Sequence, residues 1–278
     1  MRNKKISLEL FANIGNYAYL GEQNVLTQDL ACGSDNVENY LYLCSIKQIL
    51  NMGQKTTKAV FVNGSPRKKW NTFKMLESAM NGAQEAGAEC EMVNLYDIDF
   101  KGCKSCFACK IKNSRTNGVC ALKDDLRPVL ERCRQADVLV LGSPVYYSYP
   151  TGEIRSFMER LCFPVGTYMY ENGKHICLRD KVIPTAMIFT MNCPEDYMKQ
   201  INYPILLEEN TKVMADIFGY SETLYAYNTY QFNDYSRYDF NLFSEEDKRK
   251  YRDEHFKIDL QNAYELGKRL VKKAEEQK

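Results

Sequence analysis

Between Lys58 and Lys273 short apolar runs alternate five times with segments of helical spacing, and few folds accommodate that alternation. The first run, Ala59-Val60-Phe61-Val62, is apolar at every position, as suits a strand covered on both faces. Behind it Phe73, Leu76, Met80 and Ala83 recur at helical intervals over Trp70 to Gly87, with Gly87 placed to cap the C-terminus. Further strands are expected at Glu89 to Leu95, Asp137 to Leu141, Val182 to Met191 and Thr223 to Tyr227. Helices are expected at Asp124 to Ala136, Thr151 to Phe163, Pro194 to Phe218 and Ser244 to Lys273. Strands and helices in this order pair in parallel through right-handed crossovers, which predicts an α/β chain with a central five-stranded parallel sheet between two helical layers. Tyr168 to Leu178 interrupts the series as a hairpin insertion, because its Asn172-Gly173 pair suits a type I′ turn.

A length of 278 residues exceeds one such unit and falls short of two, so one core domain with additions is expected. The domain spans 58–230 and carries a cysteine loop at 101–123. Residues 1–57 read as an N-terminal extension, either disordered or a mis-assigned start with the functional chain beginning near Met52. Residues 231–278 read as a C-terminal helical addition. A formal charge of +1 gives no broad attraction to nucleic acid or anionic lipid, and neither is expected as a partner. No apolar run approaches membrane-spanning length. The stretch through Phe11, Asn13, Asn16 and Glu22 is too polar for a signal-peptide core, so a cytoplasmic location is expected.

Two loops at carboxyl ends of strands carry the binding chemistry. Gly64-Ser65-Pro66-Arg67-Lys68-Lys69-Trp70-Asn71-Thr72 joins the first strand to the first helix, whose N-terminus offers unpaired N–H groups and a positive dipole end. Ser65 and Thr72 supply hydroxyls there, Asn71 an amide and Arg67 a positive charge, a set suited to a phosphate monoester. The alternative is a plain turn followed by an Asn or Thr cap. The second loop, Gly142-Ser143-Pro144-Val145-Tyr146-Tyr147-Ser148-Tyr149-Pro150, follows the third strand. It offers aromatic faces and free backbone amides to a flat ring in the same crevice.

Of eleven cysteines, Cys103, Cys106 and Cys109 stand at intervals of three, with Cys120 after ten intervening residues, a spacing closer to metal ligation than to a disulfide lattice. Three states compete for this loop: a [4Fe-4S] cluster, a structural zinc site, or free thiols. Cys90, Cys133 and Cys162 fall in strand or helix patterns and read as small core residues. His175 and His255 have no evident partner in the sequence.

Taken together, GSPR and NT within Val60 to Leu76, SPVYY at Ser143 to Tyr147 with Ile154-Arg155-Ser156-Phe157-Met158-Glu159-Arg160, and Cys120-Ala121-Leu122-Lys123-Asp124-Asp125-Leu126 resemble the flavodoxin-like NAD(P)H-dependent FMN reductases, in particular their iron-sulfur flavoprotein branch. The resemblance covers about residues 58–220. It implies a flavodoxin-like three-layer sandwich and FMN rather than FAD. It places Ser65, Arg67, Asn71, Thr72 and Phe73 around the phosphate, and Pro144, Val145, Tyr146, Tyr147 and Ser148 around the ring. Cys103, Cys106, Cys109 and Cys120 become the ligands of a [4Fe-4S] cluster. NAD(P)H becomes the co-substrate, a small molecule the electron acceptor, and a homodimer or homotetramer the assembly. A non-enzymatic electron carrier or redox sensor is the rival reading. No residue is carried over onto the turn Thr190 to Pro194. The hairpin and the tyrosine-rich stretch Tyr225 to Tyr238 are candidate interface or lid elements.

Overall fold

A computed structural model describes residues 56–277. The first apolar run becomes β1 (Lys58–Asn63), flanked by β2 (Glu89–Asn94) and β3 (Val138–Tyr146). Beyond β3 and β4 (Tyr149–Pro150), a hairpin of β5 (Gly166–Glu171) and β6 (Lys174–Cys177) precedes β7 (Ile183–Thr190) and β8 (Gly219–Ala226). The main sheet runs β2-β1-β3-β7-β8, these five strands all parallel, with the short β4 antiparallel to β3. The order reverses between β1 and β3, and open sheets of this kind bind ligands beyond the carboxyl ends at that point.

Period-two alternation assigns the strand side chains to two cores. Val60, Val62, Leu139 and Leu141 face α2 (Leu126–Gln135), α3 (Gly152–Val165) and α5 (Tyr203–Phe218), while Ala59, Phe61, Val138 and Val140 face α1 (Asn71–Glu85) and α7 (Phe256–Glu275). Phe61 and Val62 are fully buried, each contributing about 1.5–3 kcal/mol by leaving water. The C-terminal helix belongs to the second core through Ala263, Leu266, Leu270 and Val271. It lies so close to α1 that a Cβ on Gly267 would meet the Ala79 carbonyl oxygen at 1.9 Å, and one on Gly82 the Tyr264 carbonyl oxygen at 1.9 Å. Only glycine permits that crossing.

The structure departs from the sequence reading at three places. The helix expected over Pro194 to Phe218 is two, α4 (Glu195–Gln200) and α5, because Asn202 turns left-handed at φ 59° and Pro204, lacking an N–H, begins the second. The helix expected over Ser244 to Lys273 is likewise two, α6 (Glu245–Glu254) and α7, broken at His255 so that α7 can lie along α1. The third strand runs on to Tyr146 and turns back through Tyr147 (φ 47°) and Ser148 (φ 76°) into β4, where a loop was expected. The inserted hairpin forms as expected, with Asn172 at φ 51° and Gly173 at φ 80°. Residues 56–277 form one compact unit. The expectations for residues 1–55, including a start near Met52, lie outside the described residues.

Candidate cofactor cleft and cysteine loop

The loop after β1 is held by its own polar groups. Asn63 Oδ1 accepts the Ser65 N–H at 3.0 Å, and Ser65 Oγ accepts the Arg67 N–H at 3.2 Å. Thr151, the N-cap of α3, donates to the Gly64 carbonyl at 2.8 Å, and its own N–H reaches Ser143 Oγ at 2.9 Å. These bonds tie the loops after β1 and β3 into one wall. Trp70 occupies the N-cap of α1 without any side-chain cap. The first amides of that helix therefore keep their donors for something else.

A cleft opens here between Ser65, Arg67, Asn71 and Thr72 on one side and Pro144, Val145 and Tyr146 on the other, as the sequence placed them. Phe73, Tyr147 and Ser148 do not line it. Phe73 is half-buried on α1, and Tyr147 is 96% exposed at the tip of the β3–β4 turn. Arg67 makes no ion pair among the described residues. Its Nη1 donates to the Gln231 carbonyl at 2.5 Å, while Asn71 Nδ2 and Trp70 Nε1 both donate to the Tyr230 carbonyl, at 2.7 and 3.0 Å. Three side-chain donors thus converge on oxygen atoms at one rim. Thr72 Oγ1 lies 2.7 Å from Thr190 Oγ1 at the end of β7.

The cleft also contains residues to which the sequence assigned no binding role: Trp70 of the same loop, Thr190 at the end of β7 with Met191 and Asn192 after it, and Thr229, Tyr230 and Gln231 from the stretch expected as an interface or lid. Asn192 stands out, since its buried Oδ1 has no hydrogen-bond partner among the described residues. The loops after β7 and β8 are laced together, Met191 accepting from the Thr229 N–H at 2.9 Å and Cys193 from the Asn228 N–H at 2.8 Å. The only signal for this wall was position, since both loops leave carboxyl ends of strands.

Cys103, Cys106, Cys109 and Cys120 all line a second, small cavity with Glu159, Arg160 and Phe163. Cys103 and Cys106 are exposed and Cys109 is buried. Among the described residues no three His, Cys, Asp or Glu side chains stand close enough together to hold a metal ion. The loop conformation is unusual, with Ser105 and Phe107 both left-handed at φ 54° and 56°. Glu159 Oε2 accepts the Cys103 N–H at 3.0 Å. Arg160, fully buried on α3, makes two bonds to Asp124 at 2.5 and 2.8 Å, a third to the Lys101 carbonyl at 2.9 Å, and donates Nε to Cys120 Sγ at 3.3 Å. The Arg160 hydrogen bonds hold the Asp124 carboxyl below its usual range. Burial pushes Cys133 and Cys162 up to about 12, and Cys90 to about 11, so these thiols stay protonated and inert at neutral pH.

The family model for NADPH-dependent FMN reductase matches residues 57–190. An iron-sulfur flavoprotein of Archaeoglobus fulgidus is 37% identical over 103 residues, covering 37% of this chain and 48% of that one. Another from Methanocaldococcus jannaschii is 33% identical over 103 residues, covering 37% and 51%. The matched stretch spans about half the length of these relatives. Among solved structures, an NAD(P)H:quinone oxidoreductase from Methanothermobacter marburgensis superposes with a TM-score of 0.56 at 17% identity, covering 78% of this chain and all of that one. An azoreductase from Bacillus anthracis superposes with a TM-score of 0.53 at 13% identity, covering 77% and 100%. These structures share the flavodoxin-like fold. Residues 57–190 thus match the NADPH-dependent FMN reductase family model, and the curated relatives similar to part of this chain are iron-sulfur flavoproteins.

Proposed function

We propose that the chain is an FMN-dependent oxidoreductase that holds the FMN phosphate at the N-terminus of α1. The observation that carries this reading is the uncapped start of α1, which faces a cleft at the carboxyl ends of β1, β3 and β7 with Arg67, Asn71 and Trp70 donating into one rim. Ser65, Arg67, Asn71 and Thr72 bind the phosphate. Pro144, Val145 and Tyr146 border the ring, with Tyr147 and Ser148 at the exposed turn beyond them. The cleft measures about 140 Å³, below the ~300–1,000 Å³ of a pocket that encloses a whole ligand. It suits the tail of a mononucleotide, with the ring at the open mouth beside Tyr146.

When bound, FMN supplies hydride acceptance from NAD(P)H and release of electrons to a small-molecule acceptor, singly or in pairs. The chain's own residues neutralise the phosphate, shield the cleft floor with Thr72 and Thr190, and present an acceptor at Asn192. Cys103, Cys106, Cys109 and Cys120 fit a [4Fe-4S] cluster in donor chemistry and in sharing one cavity, and that group would supply one-electron transfer. A homodimer or homotetramer is part of this reading, with the exposed hairpin residues Tyr168, Met169 and Tyr170 as its candidate interface.

The test is an absorption spectrum of anaerobically purified protein, with iron, sulfide and flavin assayed on the same sample, followed by NAD(P)H oxidation with a quinone. A flavin spectrum is expected, together with about tenfold or greater loss of FMN affinity in R67A and T72A, each having lost a charged or neutral phosphate hydrogen bond. A protein that cannot be loaded with FMN, or whose affinity is unchanged in both variants, refutes the reading. Bound flavin inert to both nicotinamides would support the electron carrier instead.

A further inference from the structure

Lys248 is fully buried, although it sits on the most highly charged helix of the described chain, α6, in the segment Glu245 to Glu254. Burying an ammonium costs several kcal/mol unless its donors are satisfied. Two partners account for it. Nζ donates to the backbone carbonyl of Asn192 and to Asn228 Oδ1 at 2.9 Å, thereby joining the loop after β7 to the loop after β8. Phe243 and Phe240 close over the cation, with ring centroids 5.1 and 6.0 Å away. Burial pulls the Lys248 pKa down to about 8. Ser244 fixes the start of α6 by accepting the Asp247 N–H at 3.2 Å, which sets the depth at which Lys248 enters.

The consequence appears one side chain away. Asn192 is pinned through its main-chain carbonyl, it lines the cleft, and its buried side-chain Oδ1 has no partner among the described residues. A buried acceptor left unpaired costs about 1–3 kcal/mol, which a ligand N–H can offset. We infer that Lys248 is a positioning residue which, through the main chain of Asn192, holds the Asn192 carboxamide oxygen to accept an N–H from the polar edge of a ring bound in the cleft. The matching ligand chemistry is an imide or lactam edge, which the flavin ring carries. The inference rests on the FMN reading above and extends the site into residues 191–248, all of which lie beyond the matched segment 57–190.

The test is a double-mutant cycle read by flavin titration. FMN and riboflavin, which lacks the phosphate, are titrated into flavin-free wild type, N192A, K248M, the double variant and R67A, with a thermal melt of each. K248Q, which keeps hydrogen-bond donors without the charge, is run in parallel so that unfolding of one lysine variant leaves the other to decide. The expected result is about a tenfold loss for both ligands in N192A and in either lysine variant, and no further loss in the double variant, because both changes remove one interaction. R67A should weaken FMN and spare riboflavin. If wild type binds flavin but N192A binds as well as wild type, or if the two losses simply add, the inference is overturned while the FMN reading stands. If wild type binds neither flavin, both fall.

Discussion

At the scale of single residues, the ion pair of Arg160 with Asp124 shows how a side chain outside the obvious motif can govern it. Both residues lie inside segments whose pattern was legible, yet nothing in the sequence says that a guanidinium from α3 reaches the cysteine loop, because helix and loop meet only when α3 packs on the sheet. Arg160 is buried while Asp124 keeps a side-chain exposure of 25%, so loss of the cation leaves a partly solvated carboxylate. R160A is therefore expected to cost about 2–3 kcal/mol, somewhat less than the rupture of a fully buried pair, and to show as a lower urea midpoint. The Asp124 pKa is depressed in the folded state, so its contribution is present above the unfolded value of about 3.9 and is lost as pH falls through the folded one. An acid titration followed by circular dichroism should find the acid limb reduced in R160A. A limb unchanged from wild type would show that the pair carries no folding free energy. Ser65, Arg67, Asn71 and Thr72 were legible for the opposite reason: strand, loop and helix are contiguous, and local geometry alone puts them at one place. Asn192 and Gln231 were not, since they reach the cleft only through β7 and β8.

At the scale of elements, the strand runs were read within a few residues because burial on both faces demands continuous apolar sequence, as in β1 and β7. Helix breaks were harder. Asn202 and His255 interrupt patterns whose apolar spacing continues across them, and only the direction of the next helix distinguishes a bend from a break. The β3–β4 turn escaped notice for a related reason: Tyr147 and Ser148 are not residues that ordinarily take left-handed backbone, so the strain at this exposed tip is imposed by the sheet. The crossing of α1 and α7 yields a direct expectation. In G267A the new methyl would stand against a backbone oxygen that cannot move aside, so the variant should lose about 1–3 kcal/mol with an unchanged denaturant slope. Equal urea midpoints for G267A and wild type would mean that the two helices are not in close contact.

At the scale of the whole molecule, the C-terminal helices both complete a core and load it with buried charge. Asp259 on α7 is buried, with its pKa raised to about 6 by burial, against the lowering effects of the Tyr251 hydroxyl at 3.2 Å and of His255. A carboxyl raised on folding binds its proton more tightly in the folded state, so stability falls as pH rises from about 4 through 6. D259N should remove that slope and gain about 1–3 kcal/mol at pH 7.5, read as a higher urea midpoint, while differing little at pH 4. A wild-type midpoint that does not fall between pH 4 and 7 would contradict this. What the sequence determined by itself is what short-range physics writes into it: the alternation of strand and helix, the strand-loop-helix join that gathers Ser65 to Thr72, the hairpin turn and the cysteine spacing. Tertiary structure alone decided that α7 lies on α1, that Lys248 grips Asn192, that Arg160 reaches Cys120, and that Tyr230 and Gln231 form a rim of the cleft. Those contacts join segments tens to more than a hundred residues apart, and their partners are selected by packing, which no local pattern of residues records.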